Sequence, residues 1–161
     1  MKTQKQIPVT SYKASGFTEK YQNIVRSTVI PYQYSVLWDN ADGAEKSHVA
    51  ANFINAAKAL RGEDPGDGFY GMVFQDSDAY KWLEAAAYAV ADKPDENLER
   101  QADELIDLID DAQDKDGYLI AAPSTSPENN FVLNGINCAV SQTTTMTMSI
   151  IRELFENCIK A

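Results

Sequence analysis

Apolar residues recur every three or four positions in five separate stretches of this chain, and no long stretch alternates with period two. That spacing lays one apolar stripe along a helix, whereas a half-buried strand needs strict alternation. The chain therefore reads as all-α. The first stretch predicts a helix from Phe17 to Trp38, with Val25, Val29, Tyr32 and Val36 on one stripe. A kink or break is expected at Pro31, whose ring removes a backbone donor. The second predicted helix runs from Ser47 to Leu60 and buries Val49, Phe53, Ala57 and Leu60.

A glycine- and acid-rich loop from Gly62 to Gly68 then separates two helical hairpins. The third helix is expected over Ser77 to Ala91, burying Ala79, Trp82, Leu83, Ala86 and Val90. Pro94-Asp95-Glu96 opens a fourth, since proline is tolerated in the first turn and acids suit the positive end of the helix dipole. Its stripe is Leu98, Ala102, Leu105, Ile109 and Ala112, and Gly117 ends it as a left-handed cap. From Tyr118 to Gln142 the chain reads as irregular. A fifth helix starts near Thr143 and carries Met146, Ile150, Leu154 and Cys158, widened by Ile151, Phe155 and Ile159. It is still running at Ala161, which reads as a truncated end.

A chain of 161 residues accommodates one domain, 1–161, with a sizeable core. No apolar run approaches the ~18 residues a membrane span requires. The excess of 24 acidic over 14 basic residues, net −10, repels phosphate backbones and anionic lipid, so neither nucleic acid nor a membrane is an expected partner. Met1 to Pro8 lack the apolar core of a secretory signal, which points to the cytoplasm. Cys138 and Cys158 are too few for a disulfide framework and too far apart for a paired metal motif. They read as apolar filler.

Residues Gly71-Met72-Val73-Phe74-Gln75-Asp76-Ser77-Asp78-Ala79-Tyr80-Lys81-Trp82-Leu83-Glu84-Ala85-Ala86 closely resemble a segment of the bacterial β-L-arabinofuranosidases of glycoside hydrolase family 127. The similarity reaches upstream through Val29-Ile30-Pro31-Tyr32-Gln33-Tyr34 and Ser47-His48, and downstream to Asp116-Gly117-Tyr118-Leu119, covering most of 17–119. Residues 120–161 resemble a different family. Ala121-Ala122-Pro123-Ser124-Thr125-Ser126-Pro127-Glu128-Asn129 and Ile150-Ile151-Arg152-Glu153-Leu154-Phe155 are similar to a segment of the α-L-fucosidases of glycoside hydrolase family 95. The order of motifs suggests a chimera joined near Leu119 to Ala122. Both families share a barrel of six helical hairpins, so the resemblance implies a partial (α/α)6 barrel of five to six helices. A full barrel needs about 250 residues or more, and the open edges of a partial one lead to the expectation of a homo-oligomer.

Glycoside hydrolysis needs an acid on one side of the bond and a base or nucleophile on the other. The fucosidase resemblance implies that Glu128 is the general acid and that Asn129 and Asn130 bond sugar hydroxyls. Without a partner carboxylate, the same residues read as a helix start, with Ser126 capping, Pro127 in the first turn and Glu128 on the dipole. Gln75, Asp76 and Asp78 are candidate sugar-binding residues at the start of the third helix, with capping by Asp76 or Ser77 as the structural reading. Phe69, Tyr70, Phe74, Tyr80 and Trp82 are candidate stacking rings that read first as core.

The arabinofuranosidase resemblance implies a cysteine nucleophile beside a zinc held by cysteines and a glutamate, all downstream of the portion resembled. Neither cysteine here lies in a matching motif and His48 is the sole histidine. No metal and no cofactor are expected. A Ser-His-acid triad on His48, a calcium hand around Asp114 to Gly117 and a phosphate loop over Gly62 to Gly68 all fail on spacing or residue type. The expected function is a glycosidase of the L-arabinofuranosidase or L-fucosidase type with an incomplete site and a carbohydrate ligand. A non-catalytic helical scaffold and a sugar-binding module stand beside it.

Overall fold

The computed structural model describes residues 11, 13–72, 75–112, 124–125, 130–138, 140–141 and 145–160. The chain is mostly helical. α1 (Phe17–Ile24) leads through a π turn (Val25–Val29) into α2 (Ile30–Leu37), with right-handed helical backbone angles at both junctions. The expected break at Pro31 is replaced by this wider turn just upstream. Proline cannot donate to the carbonyl four residues back and its ring collides with it. Here the Ile30 amide donates instead to the Val25 carbonyl, five residues back, which opens the ladder where the ring must fit.

One extra residue in a turn rotates everything beyond it by about 100°. The buried stripe of α2 is accordingly Ile30 and Leu37, flanked by Tyr34 and Trp38. The predicted Val25, Val29 and Tyr32 are exposed.

α3 (Val49–Leu60) buries Val49, Ala50, Asn52 and Ala57. Leu60, expected inside, is exposed. α4 (Ser77–Asp92) buries Ala79, Trp82 and Ala86, and α5 (Glu96–Asp110) buries Leu98, Leu105 and Ile109, as the spacing predicts. α4 packs against both α2 and α5, while α3 leans on α5. The Trp82 indole donates to the Ile30 carbonyl at 2.9 Å, tying α4 to α2 inside the core. The Arg26 guanidinium, projecting from the π turn, bonds the Ala89 and Lys93 carbonyls at the end of α4. It also lies 3.6 Å from the Asp95 carboxylate. Asp95 is the true cap of α5, accepting from the Leu98 amide at 3.2 Å, and Pro94 precedes the cap rather than filling the first turn.

The stretch expected to be irregular contains strands. β2 (Phe131–Leu133) and β3 (Ile136–Cys138) pair antiparallel around Asn134-Gly135, both at positive φ, 52° and 80°. Two positive φ values make the mirror-image turn whose twist matches a hairpin, and Asn-Gly is its preferred sequence. β1 (Ser124–Thr125) and β4 (Val140–Ser141) pair outside it. The helical fold class stands, and these short strands correct only the expectation of an irregular stretch. α6 (Thr145–Lys160) packs on α4, with Ile151 half-buried but Ile150 and Phe155 exposed. Ile150, expected on the inward stripe, is therefore turned outward. The side chains of Met146, Leu154, Cys158 and Ile159 fall outside the described residues, as does Gly117.

Candidate functional site

The chain enters α3 through two residues in the left-handed region, Asp39 at φ 57° and His48 at φ 58°. L-residues other than glycine enter that region at a cost of about 1 kcal/mol each, so something must hold them there. The Asp39 carboxylate accepts from the amides of Ser47 (2.7 Å) and His48 (3.0 Å), and its second oxygen lies 3.8 Å from His48 Nδ1. A histidine–aspartate pair is thus present. No serine completes a triad there, because the Ser47 hydroxyl donates to the Val36 carbonyl at 2.7 Å.

Asn52 and Asn55 stand three residues apart on α3, on the same face. The loop after the helix folds back along that face because both amides read its main chain. Asn52, the buried polar residue of the core at 8% exposure, donates to the Tyr70 carbonyl (2.8 Å) and accepts from the Tyr70 amide (2.9 Å). Asn55 donates to the Gly68 carbonyl at 2.9 Å. Gln75 completes the tie, accepting from the Met72 amide at 2.9 Å and donating to the Ser47 carbonyl. Gly71, at φ 102°, must lack a side chain, since a Cβ there would sit 2.1 Å from the Gln75 oxygen.

Between loop and helix lies an open cleft of about 500 Å³, walled by His48, Asn52, Asn55, Lys58, Asp64 and Tyr70 together with the loop glycines. The rings of His48 and Tyr70 are 4.2 Å apart and tilted 49°, and Tyr70 is 60% exposed.

The sequence candidates fall at different places. Both ends of the Gln75 amide are bonded to backbone, at Met72 and Ser47, and Gln75 does not line the cleft. Asp76 precedes α4 without a side-chain capping bond. Burial pushes its carboxyl above the usual aspartate range and the Asp78 charge adds to this, against the pull of the Ser77 amide and its own. Burial, with help from Asp76, pushes the Tyr80 phenol up to about 12. Asp78 is exposed and paired with Lys81 at 2.8 Å. Asn130 is exposed ahead of β2, and among the described residues no hydrogen bond joins it to Gln75, Asp76 or Asp78. Glu128 and Asn129 lie outside the described residues.

Of the aromatic candidates, Trp82 is core and Tyr80 packs edge-on against Phe53. Phe69 and Tyr70, expected as core, are exposed, while Phe74 falls outside the described residues. Asp39, Asn52 and Asn55 were not foreseen. Two asparagines spaced three apart on one helix face, with a glycine-rich loop directly behind, were the available signal. Among the described residues no group of three or more His, Cys, Asp or Glu could hold a metal ion. The described donors do not fit the implied zinc, and no step is derived through it.

A crystal structure of a family 127 β-L-arabinofuranosidase from Geobacillus stearothermophilus T6 is similar to this chain with a TM-score of 0.58 and 48% identity, over 66% of this chain and 16% of that one. The non-reducing end β-L-arabinofuranosidase of Bifidobacterium longum subsp. longum is 44% identical over 117 residues, 65% of this chain and 17% of its own length. The chain thus spans about a sixth of the relatives it matches. The model of the β-L-arabinofuranosidase family 127 catalytic domain, an (α/α)6-barrel-like fold, matches residues 12–148 and runs through the expected join at Leu119 to Ala122. By that match, over most of its length, the chain belongs to the glycoside hydrolase family 127 catalytic-domain family.

Proposed function

We propose that this chain is the N-terminal helical part of a catalytic domain that hydrolyses β-L-arabinofuranosides, contributing sugar-binding surface while the reacting groups are completed elsewhere. The family match over residues 12–148 carries this reading. The described residues support the division of labour. Around the cleft they offer a histidine, a lysine, the carboxylates of Asp64 and Asp67 and the exposed ring of Tyr70, a lining suited to holding a sugar.

Glu128 is the proposed acid, resting on the fucosidase-like Pro127-Glu128-Asn129 segment. A chimera with an α-L-fucosidase would also account for that segment, but the continuous family match to residue 148 favours a single family. The test is turnover of chromogenic β-L-arabinofuranoside and α-L-fucoside by the chain joined to the rest of a family 127 catalytic domain, with and without Glu128→Gln. Arabinofuranoside turnover abolished in the mutant supports both the family activity and the acid. Fucoside turnover alone would transfer the activity to the second family. Binding of the arabinofuranoside without turnover leaves the chain a sugar-binding module.

A further inference from the structure

We propose that the cleft between α3 and the Gly62 to Tyr70 loop is a binding subsite for a neutral pentose unit, with the exposed face of Tyr70 as its stacking wall and His48 as its polar floor. The choice of L-arabinofuranose as the pentose rests on the reading above; the existence of the subsite does not.

Four observations converge. The space is of ligand size, about 500 Å³, within the roughly 300–1,000 Å³ typical of small-molecule sites. Its walls are fixed before any ligand arrives, because Asn52, Asn55 and Gln75 spend their amides on the loop's main chain and on Ser47. A pre-ordered wall spares the ligand the entropy of ordering it. The chain also holds His48, which lines the cleft, in the left-handed region, and the Asp39 carboxylate fixes it there by accepting from its amide.

The lining chemistry selects the class of ligand. Tyr70, which lines the cleft, presents 60% of its surface to solvent. An aromatic face of this kind accepts the C–H face of a sugar, while the polar edge of the site takes its hydroxyls. Lys58 stands against Asp64 and Asp67, so the cleft holds cation and carboxylates together. A chain of net charge −10 also repels anions at long range. A neutral polyol meets neither obstacle.

The experiment is a titration of the folded chain with methyl β-L-arabinofuranoside, followed by amide chemical shifts, with methyl α-L-fucopyranoside and methyl β-D-glucopyranoside as comparison sugars. Saturable shifts confined to His48, Gly66 to Tyr70 and the start of α3 are expected. Tyr70→Ala should weaken binding at least about tenfold, equivalent to 1.4 kcal/mol. Tyr70→Phe, which keeps the ring, should stay close to the parent. Both variants leave the Asn52 bonds intact, since those engage the Tyr70 backbone, and a circular dichroism melt verifies the fold. Absence of saturable shifts with all three sugars overturns the subsite, as does equal binding by Tyr70→Ala. Equal binding of all three sugars at this place overturns the assignment to a pentose, whereas binding of none with Glu128-dependent turnover intact would sink the subsite and leave the arabinofuranosidase reading standing.

Discussion

Gly71 shows how a single missing side chain shapes the cleft. Its φ of 102° and the 2.1 Å approach of the Gln75 oxygen to a would-be Cβ leave room for hydrogen alone. Gly71→Ala should therefore destabilise the chain by about 1–3 kcal/mol, read as a lower urea midpoint. Asn52→Ala should cost a similar or larger amount, about 2–3 kcal/mol, because it strands the Tyr70 amide and carbonyl at once. Asp76 makes a pH prediction. A carboxyl whose folded pKa lies above its unfolded value holds its proton more tightly when folded, so its contribution is greatest in acid and is lost as pH rises through the folded value. Asp76→Asn should remove that decline, leaving stability flatter from acid to neutral pH in paired denaturation curves. The same substitution should bring the Tyr80 phenol down from about 12, seen as an earlier rise in phenolate absorbance during an alkaline titration. Asp76 was legible as a position before a helix; its burial was not, since that depends on what the fold packs over it.

Among the elements, α4 and α5 were the most legible, because their stripes of Ala79, Trp82 and Ala86, and of Leu98, Leu105 and Ile109, follow an undisturbed period. The first helix was misread for a definite reason. Periodicity assumes a constant turn, and the π turn at Val25–Val29 adds a residue that moves the inward face from Val29 and Tyr32 to Ile30 and Tyr34. The hairpin at Phe131 to Cys138 carries its signal in Asn134-Gly135, but strands of three residues are too short to show an alternating pattern. Arg26 also belongs to this scale. Replacing it with methionine keeps most of the apolar stem but frees the Ala89 and Lys93 carbonyls and the Asp95 carboxylate. We expect a loss of about 1.5–3 kcal/mol and faster amide exchange in the last turn of α4. Asp95→Ala, which removes the cap of α5, should cost about 1 kcal/mol.

The molecule as a whole carries apolar surface that its own described elements do not cover. Phe17, Tyr21, Ile24, Val25, Val29 and Tyr32 are exposed along α1, the π turn and α2, as are Phe131, Val132, Leu133 and Ile136 on the hairpin. Patches of this kind are covered by neighbours in most proteins. The chain spans 17% of the Bifidobacterium relative, so the neighbour is proposed to be either further hairpins of a longer catalytic domain or a second copy. Light scattering across micromolar concentrations should show self-association of the isolated chain, and a monomer throughout would assign the faces to the longer domain. Among the described residues no helix is long and apolar enough to cross a membrane.

The bonds that hold the cleft's outer loop end on main-chain atoms: the Tyr70 amide and carbonyl and the Gly68 carbonyl. Main-chain atoms survive any substitution that spares the backbone conformation. The Tyr70 side chain carries none of these bonds, so mutation can change it while the frame stays in place. A cleft framed this way can change its lining by small steps, each step leaving a folded protein from which the next can start.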